Sequence, residues 1–459
     1  MLEDALDHVE QVASGPVWRA PPAEARARFE QASPAAPAEL AETHQRLLTD
    51  LLPYSSGNGH PAFMGWVQGA GTPVGMMGEL MAAAMNANLG GRDHMPIAVE
   101  RQIGLWAREW FRFPETSEGL FVTGASMANF MGVLAARTRA VGADVRRSGV
   151  AELKRPLTAY VARTAHGCIA RAMDMAGLGS TALRLIETDQ HHRINLAQLR
   201  EAIAADRAAG MQPFLVVGTA GTVDVGAVDV LEGLADIALR EDLWLHIDGA
   251  LAALGVLSPA VAPLLAGIER ADSIAFDFHK WGQVPYDAGY FLARDGERLR
   301  DTFASPAAYL RRDGRGLAGG DFWPCDYGPD LSRGFRALKT WLTFTTLGTD
   351  AIGAAIARTC ELARMLAREV EARPELELLA PVALNIVCFR HLGADADTLN
   401  AEIVAELHES GRAAPSLTTI GGKIAIRAAI VNHRTGPADI LNLVEGVLDT
   451  ARGLARRVA

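Results

Sequence analysis

Lys280 is the residue of this sequence whose chemistry is most distinctive. It follows the apolar run Ser273–Phe276 and stands between a histidine and a tryptophan. Lysine is rarely buried without a partner or a task. A lysine at the end of a buried strand can form a Schiff base with a carbonyl compound. The alternative is a lysine that simply points into water at a strand end. Other motifs must decide between these two interpretations.

Three further motifs carry side chains suited to a flat, phosphorylated ring. Gly124–Ser126 opens a predicted helix with small residues and a hydroxyl, which suits an anion such as phosphate. His166 follows a strand and could stack on a planar ring or carry protons. Asp248 ends another strand, where a pyridinium N–H is a fitting partner for a costly buried carboxylate. Alone, each has an ordinary explanation: a helix N-cap, a structural histidine or a turn carboxylate.

The elements that would position these residues alternate between strand and helix. Candidate strands lie at Phe121–Val122, Leu157–Ala162, Ala182–Ile186, Pro213–Gly218, Leu243–Ile247, Ser273–Phe276 and Gly289–Ala293. Helical patterns lie at residues 96–113, Met127–Ala140, Ile169–Ala176, Leu196–Ala208, Val230–Arg240 and Ala260–Ala266. This alternation predicts an α/β fold with a mostly parallel sheet between helices. Ligands bind at the carboxyl ends of such strands, so the motifs should meet at one edge.

Three parts are predicted along the chain. Residues 1–75 form a helical and extended segment with too few long apolar residues for its own core, and we expect it to pack on a partner subunit. Residues 76–340 form the large α/β domain, and residues 341–459 a small α+β domain. Residues 304–334, rich in Gly, Pro and Asp, predict a long mobile loop. The small domain carries two predicted strands, Val382–Arg390 and Lys423–Val431.

Composition narrows the function classes. The net charge of the 459 residues is 44 − 54 = −10, which argues against a general binder of nucleic acid or anionic membranes. Four widely spaced cysteines indicate neither a zinc site nor a disulfide framework, so we expect no metal and a reducing, cytoplasmic location. The acidic N-terminus lacks the apolar stretch of a signal peptide.

Together and in this order, the motifs resemble the fold-type I enzymes that use pyridoxal 5′-phosphate (PLP). The resemblance is specifically to the group II amino-acid decarboxylases, with the aromatic-L-amino-acid decarboxylase branch nearest. The motifs that carry it span residues 50–440 and are His60–Phe63, Gly124–Asn129, Ala165–His166, Gly221–Thr222, His246–Ala250, Asp277–Trp281, Leu331–Lys339 and Arg427–Arg434.

The resemblance implies PLP as the cofactor and an obligate homodimer with shared active sites. It implies that Lys280 carries the cofactor as a Schiff base and that Asp248 binds the pyridine nitrogen. Ala250 would pack beneath the ring and His166 would stack above it. The remaining residues that the resemblance assigns to the cofactor are Ala125, Ser126, Thr222, Asp277 and His279, with Gly348 reaching in from the other subunit.

The implied reaction is α-decarboxylation of an L-amino acid to the amine and CO₂. The mobile-loop tyrosine that returns a proton to Cα has no unambiguous counterpart, and Tyr327 is our choice, with His166 and Lys280 as alternatives. Asp277 stands where the animal aromatic enzymes have asparagine. A carboxylate beside a phosphate is unfavourable unless it is turned away or hydrogen-bonded.

The substrate is the most open part of this interpretation. An aromatic amino acid is our first expectation, since Phe63 and Trp66 could line an apolar pocket. Gly90–Arg92 stands where the resembled enzymes have bulky aromatic residues. Arg92 makes an acidic amino acid, aspartate or glutamate, the alternative substrate. An aminotransferase or carbon–carbon lyase of the same fold type is a further alternative, because Arg427 resembles an arginine that grips an α-carboxylate. A catalytically silent scaffold is the non-enzymatic alternative.

Overall fold

The computed structural model describes residues 1–305 and 312–458. The chain divides into two compact units: Val74–Ala357 is one, and Met1–Pro73 together with Arg358–Ala459 is the other. Residues 306–311, inside the predicted mobile loop, lie outside the described residues. No helix within the described ranges is long and apolar enough to span a membrane.

The α-helices follow the predicted alternation. Their bounds are α1 Leu2–Glu10, α2 Ala23–Ala27, α3 Leu40–Arg46, α4 Pro73–Met85, α5 Met95–Trp110, α6 Ala125–Val141, α7 Val145–Ser148, α8 Cys168–Met175, α9 Leu196–Ala208, α10 Leu231–Arg240, α11 Gly296–Phe303, α12 Arg336–Glu371, α13 Ala396–Glu409 and α14 Pro437–Val458. Helix α12 is interrupted at Gly348, where φ is 77°. Helix α12 therefore consists of two helical segments joined by a kink.

A seven-stranded sheet forms the centre of the Val74–Ala357 unit. Its strands are β1 Glu118–Val122, β2 Leu157–Ala162, β3 Leu183–Ile186, β4 Gln212–Thr219, β5 Trp244–Asp248, β6 Ser273–Asp277 and β7 Gly289–Ala293, in the order β1-β7-β6-β5-β4-β2-β3. Strand β7 runs antiparallel to both of its neighbours, and the other pairs are parallel. The predicted mostly parallel α/β sheet is confirmed.

Burial explains why these strands read as nearly continuous apolar runs. Every residue of β2, β5, β6 and β7 is buried. A sheet that helices cover on both faces has no solvated side on which polar residues would alternate. Polar residues in these strands therefore need partners inside the protein, which is why Asp248 and Asp277 point to a site.

One predicted helix of this unit is wrong. Residues 260–266 contain only a 3-10 turn, Ala262–Leu265. Pro263 lies within its first turn, and Gly267 ends the segment with φ of 96°. The three residues between these two breakers are too few to nucleate an α-helix.

The second unit contains a four-stranded antiparallel sheet in the order β10-β11-β9-β8. Its strands are β8 Leu376–Leu378, β9 Ile386–His391, β10 Ser416–Ile420 and β11 Lys423–Ala429. The core of this unit includes Phe63 and Met64, and Met64 exchanges backbone hydrogen bonds with Ala414 and Ala429. Here the N-terminal segment packs on its own chain, while its packing on a partner subunit stays a prediction.

Candidate active site

The turn after β6 holds Lys280 between two buried aromatic residues. Phe278 and Trp281 are almost fully buried, whereas the side chain of Lys280 is 20% exposed. The ring of Phe278 packs against Phe121 and Tyr290, which belong to the neighbouring strands β1 and β7. The aromatic anchors therefore fix the turn and present the lysine at its surface, as the sequence predicts.

Asp277 is the direct partner of Lys280. Its Oδ2 lies 2.9 Å from Lys280 Nζ, and its Oδ1 accepts a 2.7 Å hydrogen bond from the backbone N–H of Ala125. The carboxylate is thus hydrogen-bonded at the N-terminus of α6, where the helix dipole also favours a negative charge. This arrangement meets the condition under which a carboxylate is acceptable at this position.

The charge on Lys280 follows from these contacts. Burial disfavours the ammonium form, but the carboxylates of Asp277 and Asp248 outweigh that effect. The pKa of Lys280 therefore lies above its ordinary value. Before it reacts, the lysine is held as a cation by two acids.

His279 completes the turn on the other side of Asp277. Its Nδ1 accepts a 3.1 Å hydrogen bond from the backbone N–H of Ala288, so the ring proton is on Nε2. That Nε2 lies 3.6 Å from Asp277 Oδ2. Burial lowers the pKa of His279, and the ring packs on Tyr286 with centroids 4.2 Å apart. The imidazole is therefore a neutral donor that faces the carboxylate.

Asp248 ends β5, next to β6 in the sheet. It is buried, and its Oδ1 accepts a 3.2 Å hydrogen bond from the N–H of Ala250. Burial raises the pKa of Asp248, and the charge of Lys280 opposes that rise. Two carboxylates from adjacent strand ends thus share the environment of one lysine, as the parallel topology predicts.

His166 lies in the loop between β2 and α8 and is exposed. Its Nδ1 accepts a 3.2 Å hydrogen bond from the N–H of Cys168, so Nε2 is the nitrogen available to a ligand. A positive charge on this ring would favour the ionised form of Asp248. The predicted ring-stacking histidine is thus within electrostatic reach of the predicted partner of the ring nitrogen.

The N-terminus of α6 reaches this group through a close backbone contact. A Cβ on Gly289 would come within 2.3 Å of the Gly124 backbone, and a Cβ on Gly124 would lie 3.7 Å from the His279 ring. The Ala125–Ser126 turn therefore lies against β7 and beside the lysine turn. A helix of 17 residues begins here, which suits an anion.

Three predicted site residues have contacts of a different kind. The Thr222 hydroxyl accepts a 2.9 Å hydrogen bond from the N–H of Ala227 and so closes its own loop. A Cβ on Gly348 would meet nothing within 4 Å, and its role in a partner's site stays a prediction.

Tyr327 is the third of these residues, and the structure does not bring it to Lys280. Its ring stacks on Phe322 with centroids 4.8 Å apart. Burial raises the pKa of Tyr327, and the carboxylate of Glu118 adds to that rise. Glu118 begins β1, whereas Gly124 follows the other end of the strand, roughly 15 Å away. Within one chain the tyrosine therefore lies towards the end of β1 that is remote from Gly124.

The expected change of pocket wall at Gly90–Arg92 has a structural counterpart. A Cβ on Gly91 would come within 2.6 Å of the indole of Trp323, which is buried. The guanidinium of Arg92 lies over the same indole, 4.6 Å from its centroid. Trp323 thus supplies an aromatic side chain beside Gly90–Arg92, which has none. The Arg92 guanidinium packs on that indole.

The two aromatic residues of the predicted substrate pocket belong to the second unit. Phe63 and Trp66 stack with ring centroids 6.0 Å apart. Phe63 is buried, whereas Trp66 is 55% exposed. This pair therefore offers one accessible aromatic face.

Asn129 and His246, which no sequence motif marks as functional, are joined by a 2.7 Å hydrogen bond beneath the site. A signal for His246 exists, since Trp244, His246 and Asp248 alternate along β5 and must share one face of the sheet. The position of Asn129 against that face depends on the docking of α6.

Comparisons with known proteins agree with this geometry. A family model for the pyridoxal-dependent decarboxylase conserved domain matches residues 22–392. The aromatic-L-amino-acid decarboxylase of Bacillus atrophaeus is 35% identical over 403 residues, 84% of this chain and 80% of the relative. The L-2,4-diaminobutyrate decarboxylase of Rhizobium meliloti (strain 1021) is 29% identical over 86% of this chain and 79% of the relative. The crystal structure of Oryza sativa TDC with PLP and tryptamine matches with a TM-score of 0.90 and 26% identity, over 99% of this chain and 96% of that one.

Proposed function

The chain belongs to the pyridoxal-dependent decarboxylase family and is a PLP-dependent amino-acid carboxy-lyase, and we propose that its substrate is an aromatic L-amino acid, which it converts to the amine and CO₂. The PLP chemistry is supported by the position of Lys280, which pairs with Asp277 and lies within electrostatic reach of Asp248 beside the N-terminus of α6. The aromatic substrate is supported by the 35% identity to an aromatic-L-amino-acid decarboxylase.

The residues present fit PLP. Lys280 is the amine for its aldehyde, Asp248 is the acceptor for a protonated ring nitrogen, and Ala125–Ser126 at the N-terminus of α6 suits its phosphate. His166 would cover the ring with the face that its Nδ1 contact leaves accessible. When bound, PLP supplies an electron-accepting ring for the electron pair that remains at Cα after CO₂ leaves.

The chain's own residues bind, orient and move protons. Asp277 and Asp248 hold Lys280 as a cation until it reacts. Asp248 would stabilise a positive charge on the ring nitrogen of the cofactor. Since Tyr327 lies at the far end of β1, Lys280 and His166 are the described side chains to which we assign the return of a proton to Cα. A site that holds the bond between Cα and the carboxylate perpendicular to the ring favours decarboxylation over transamination.

Two observations support an aromatic substrate. The guanidinium of Arg92 lies on Trp323, which reduces the case for Arg92 as the binding residue for an acidic side chain. Among the relatives above, the aromatic-L-amino-acid decarboxylase has the higher identity. The diaminobutyrate decarboxylase at 29% identity makes a dibasic amino acid the second candidate.

A substrate panel tests this proposal. The purified PLP-loaded enzyme is incubated with L-phenylalanine, L-tyrosine, L-tryptophan, L-histidine, L-2,4-diaminobutyrate, L-aspartate and L-glutamate, and amine, CO₂ and keto acid are quantified. We expect kcat/KM to be highest for an aromatic amino acid, with amine and CO₂ released one to one. A preference for an acidic or dibasic amino acid would overturn the substrate assignment, and keto acid as the main product would favour an aminotransferase.

We further propose a homodimer in the cytoplasm. Helix α4 buries Gly75, Gly78 and Ala82 and exposes its long apolar residues, which supports a partner that covers this face. The four cysteines are free thiols, which supports a reducing compartment.

A further inference from the structure

A continuous chain of buried hydrogen bonds runs beneath the site. The indole N–H of Trp244 donates to Ser273 Oγ at 2.8 Å. Ser273 Oγ lies 2.8 Å from Nδ1 of His246, and His246 Nε2 lies 2.7 Å from Oδ1 of Asn129. All four side chains are at most 4% exposed. We call these four residues the relay.

The relay lies on one face of the sheet because of strand geometry. Trp244, His246 and Asp248 alternate along β5, so their side chains project to the same side. Ser273 is the register partner of His246 on β6. Helix α6 covers this face, and a Cβ on its Gly132 would come within 2.7 Å of the His246 ring. A glycine inside α6 therefore gives the imidazole its room, and the relay leads along β5 towards Asp248.

The proton positions in the relay follow from its two ends. The Asn129 side chain donates a hydrogen bond that favours the ionised form of Asp248, so its NH₂ group faces that carboxylate. Its Oδ1 then faces His246, whose Nε2 must carry the proton. Nδ1 of His246 must accept from the Ser273 hydroxyl, and that hydroxyl accepts from Trp244, which can only donate. Every bond therefore points the same way, towards Asp248.

The relay transmits orientation and not charge. Burial lowers the pKa of His246 to about 3, so the imidazole is neutral throughout the range in which enzymes work. The Asn129 amide also donates to Cys168 Sγ at 3.2 Å, so both of its N–H groups have a partner. A fully satisfied buried network of this kind fixes the rotamers of its members.

We propose that Asn129 and His246 are positioning residues that hold the Asp248 carboxylate ionised and in one orientation, and so keep the ring nitrogen of the cofactor protonated. The Asn129 amide favours the ionised form of Asp248, whereas His246 acts through its hydrogen bond to Asn129. This inference rests on the proposed role of Asp248 as the partner of the ring nitrogen.

The test uses the full chain loaded with PLP that carries ¹⁵N in its ring. The ¹⁵N chemical shift reports whether the ring nitrogen is protonated, independently of turnover. In Asn129→Leu we expect the shift to move towards the unprotonated value. We also expect the dissociation constant of PLP, measured by tryptophan fluorescence on the cofactor-free protein, to rise roughly 10- to 100-fold. Ser273→Ala, which removes one oxygen and frees the His246 tautomer, should shift both readouts in the same direction by less.

Asn400→Leu is the matched control. Asn400 is equally buried and makes three hydrogen bonds, to His391 and Ala396, outside the relay. It should lower the melting temperature without moving the ¹⁵N shift. An Asn129→Leu protein that does not fold leaves the decision to Ser273→Ala.

A further variant separates failure of this inference from failure of the proposed function. If Asp248→Asn moves the ¹⁵N shift while Asn129→Leu and Ser273→Ala leave it unchanged, the relay is refuted and the role of Asp248 stands. If Asp248→Asn itself leaves the shift unchanged, the assignment of Asp248 fails and the relay fails with it.

Discussion

At the scale of single residues, Asp277 connects the parts of the site. One oxygen accepts the Ala125 N–H at the start of α6, and the other pairs with the Lys280 ammonium. His279 directs its Nε2 at the same carboxylate from 3.6 Å. Asp277 therefore joins the Gly124–Ser126 turn to Lys280.

Replacing this carboxylate should change when the lysine reacts. Asp277→Asn keeps an acceptor for the Ala125 N–H but removes a charge that raises the Lys280 pKa. The pKa of Lys280 falls, so the free amine forms at lower pH. We expect the rate at which PLP binds covalently to the cofactor-free protein, followed by absorbance, to rise at lower pH than in the wild type.

Asp287→Asn is the control for that profile. Asp287 lies near the same turn but pairs with Arg336 Nε at 2.7 Å. Its profile should follow the wild type. An unchanged profile in Asp277→Asn would mean that this carboxylate does not control Lys280.

Tyr327 is expected to be dispensable. Its ring stacks on Phe322 near the start of β1, and a phenylalanine keeps that contact. We expect kcat/KM of Tyr327→Phe to stay within roughly twofold of the wild type, whereas loss of a general acid costs roughly 10²- to 10⁴-fold. Tyr309→Phe, at the other tyrosine of residues 304–334, is the comparison variant. If kcat/KM falls roughly 10²- to 10⁴-fold in Tyr327→Phe but not in Tyr309→Phe, Tyr327 is the proton donor.

At the scale of elements, the site depends on the contact between the turn before α6 and the start of β7. The backbone of Gly124 lies where a side chain on Gly289 would have to be. Gly289 is also the register partner of Asp277 on β6. Gly289 therefore lets the Gly124–Ser126 turn and the turn that holds Lys280 approach each other.

A methyl group at this contact should separate the two turns. In Gly289→Ala the new Cβ would come within 2.3 Å of Gly124, so the backbone must move. We expect a loss of about 1–3 kcal/mol of stability and a weaker affinity for PLP, measured by denaturant unfolding and by titration of the cofactor-free protein. Gly334→Ala, whose Cβ would meet nothing within 4 Å, should change neither. Wild-type affinity in Gly289→Ala would contradict the close approach.

The elements that the sequence predicts well are those whose burial leaves a strong pattern. The seven strands of the large sheet read as apolar runs, and the loops after β5 and β6 carry the acids and the lysine. Strand β8 has only three residues, and β10 alternates as a half-exposed edge, so neither has a run to detect. The relay and the contact of Trp323 with Gly91 join residues far apart in the chain, and no local pattern encodes them.

At the scale of the whole molecule, helix α4 bears on the proposed homodimer. Its exposed apolar residues are Met77, Leu80, Met81 and Met85, with exposures of 36–50%. Met77 and Leu80 lie opposite the buried small residues of the helix, whereas Met81 and Met85 lie closer to them. An inverted pattern of this kind is what a helix shows when a second copy covers it, which supports the proposed homodimer.

Charge on this face should disrupt the dimer. We expect the wild type to sediment with the mass of two chains and Leu80→Lys with Met85→Lys to sediment as one chain, because buried lysines lack partners there. Leu239→Lys is the control, since Leu239 is an exposed apolar residue on α10, outside α4, with 78% exposure. An intact dimer in the double variant would mean that another surface forms the interface.

The most direct test of the account is to locate the cofactor on the chain. The sequence contains four lysines, Lys154, Lys280, Lys339 and Lys423. Borohydride reduction of the PLP-loaded protein fixes the cofactor to its lysine, and peptide mass spectrometry then identifies that residue. The account predicts one phosphopyridoxyl group per chain, on Lys280. A stoichiometric group on any other lysine, with Lys280 unmodified, would contradict it.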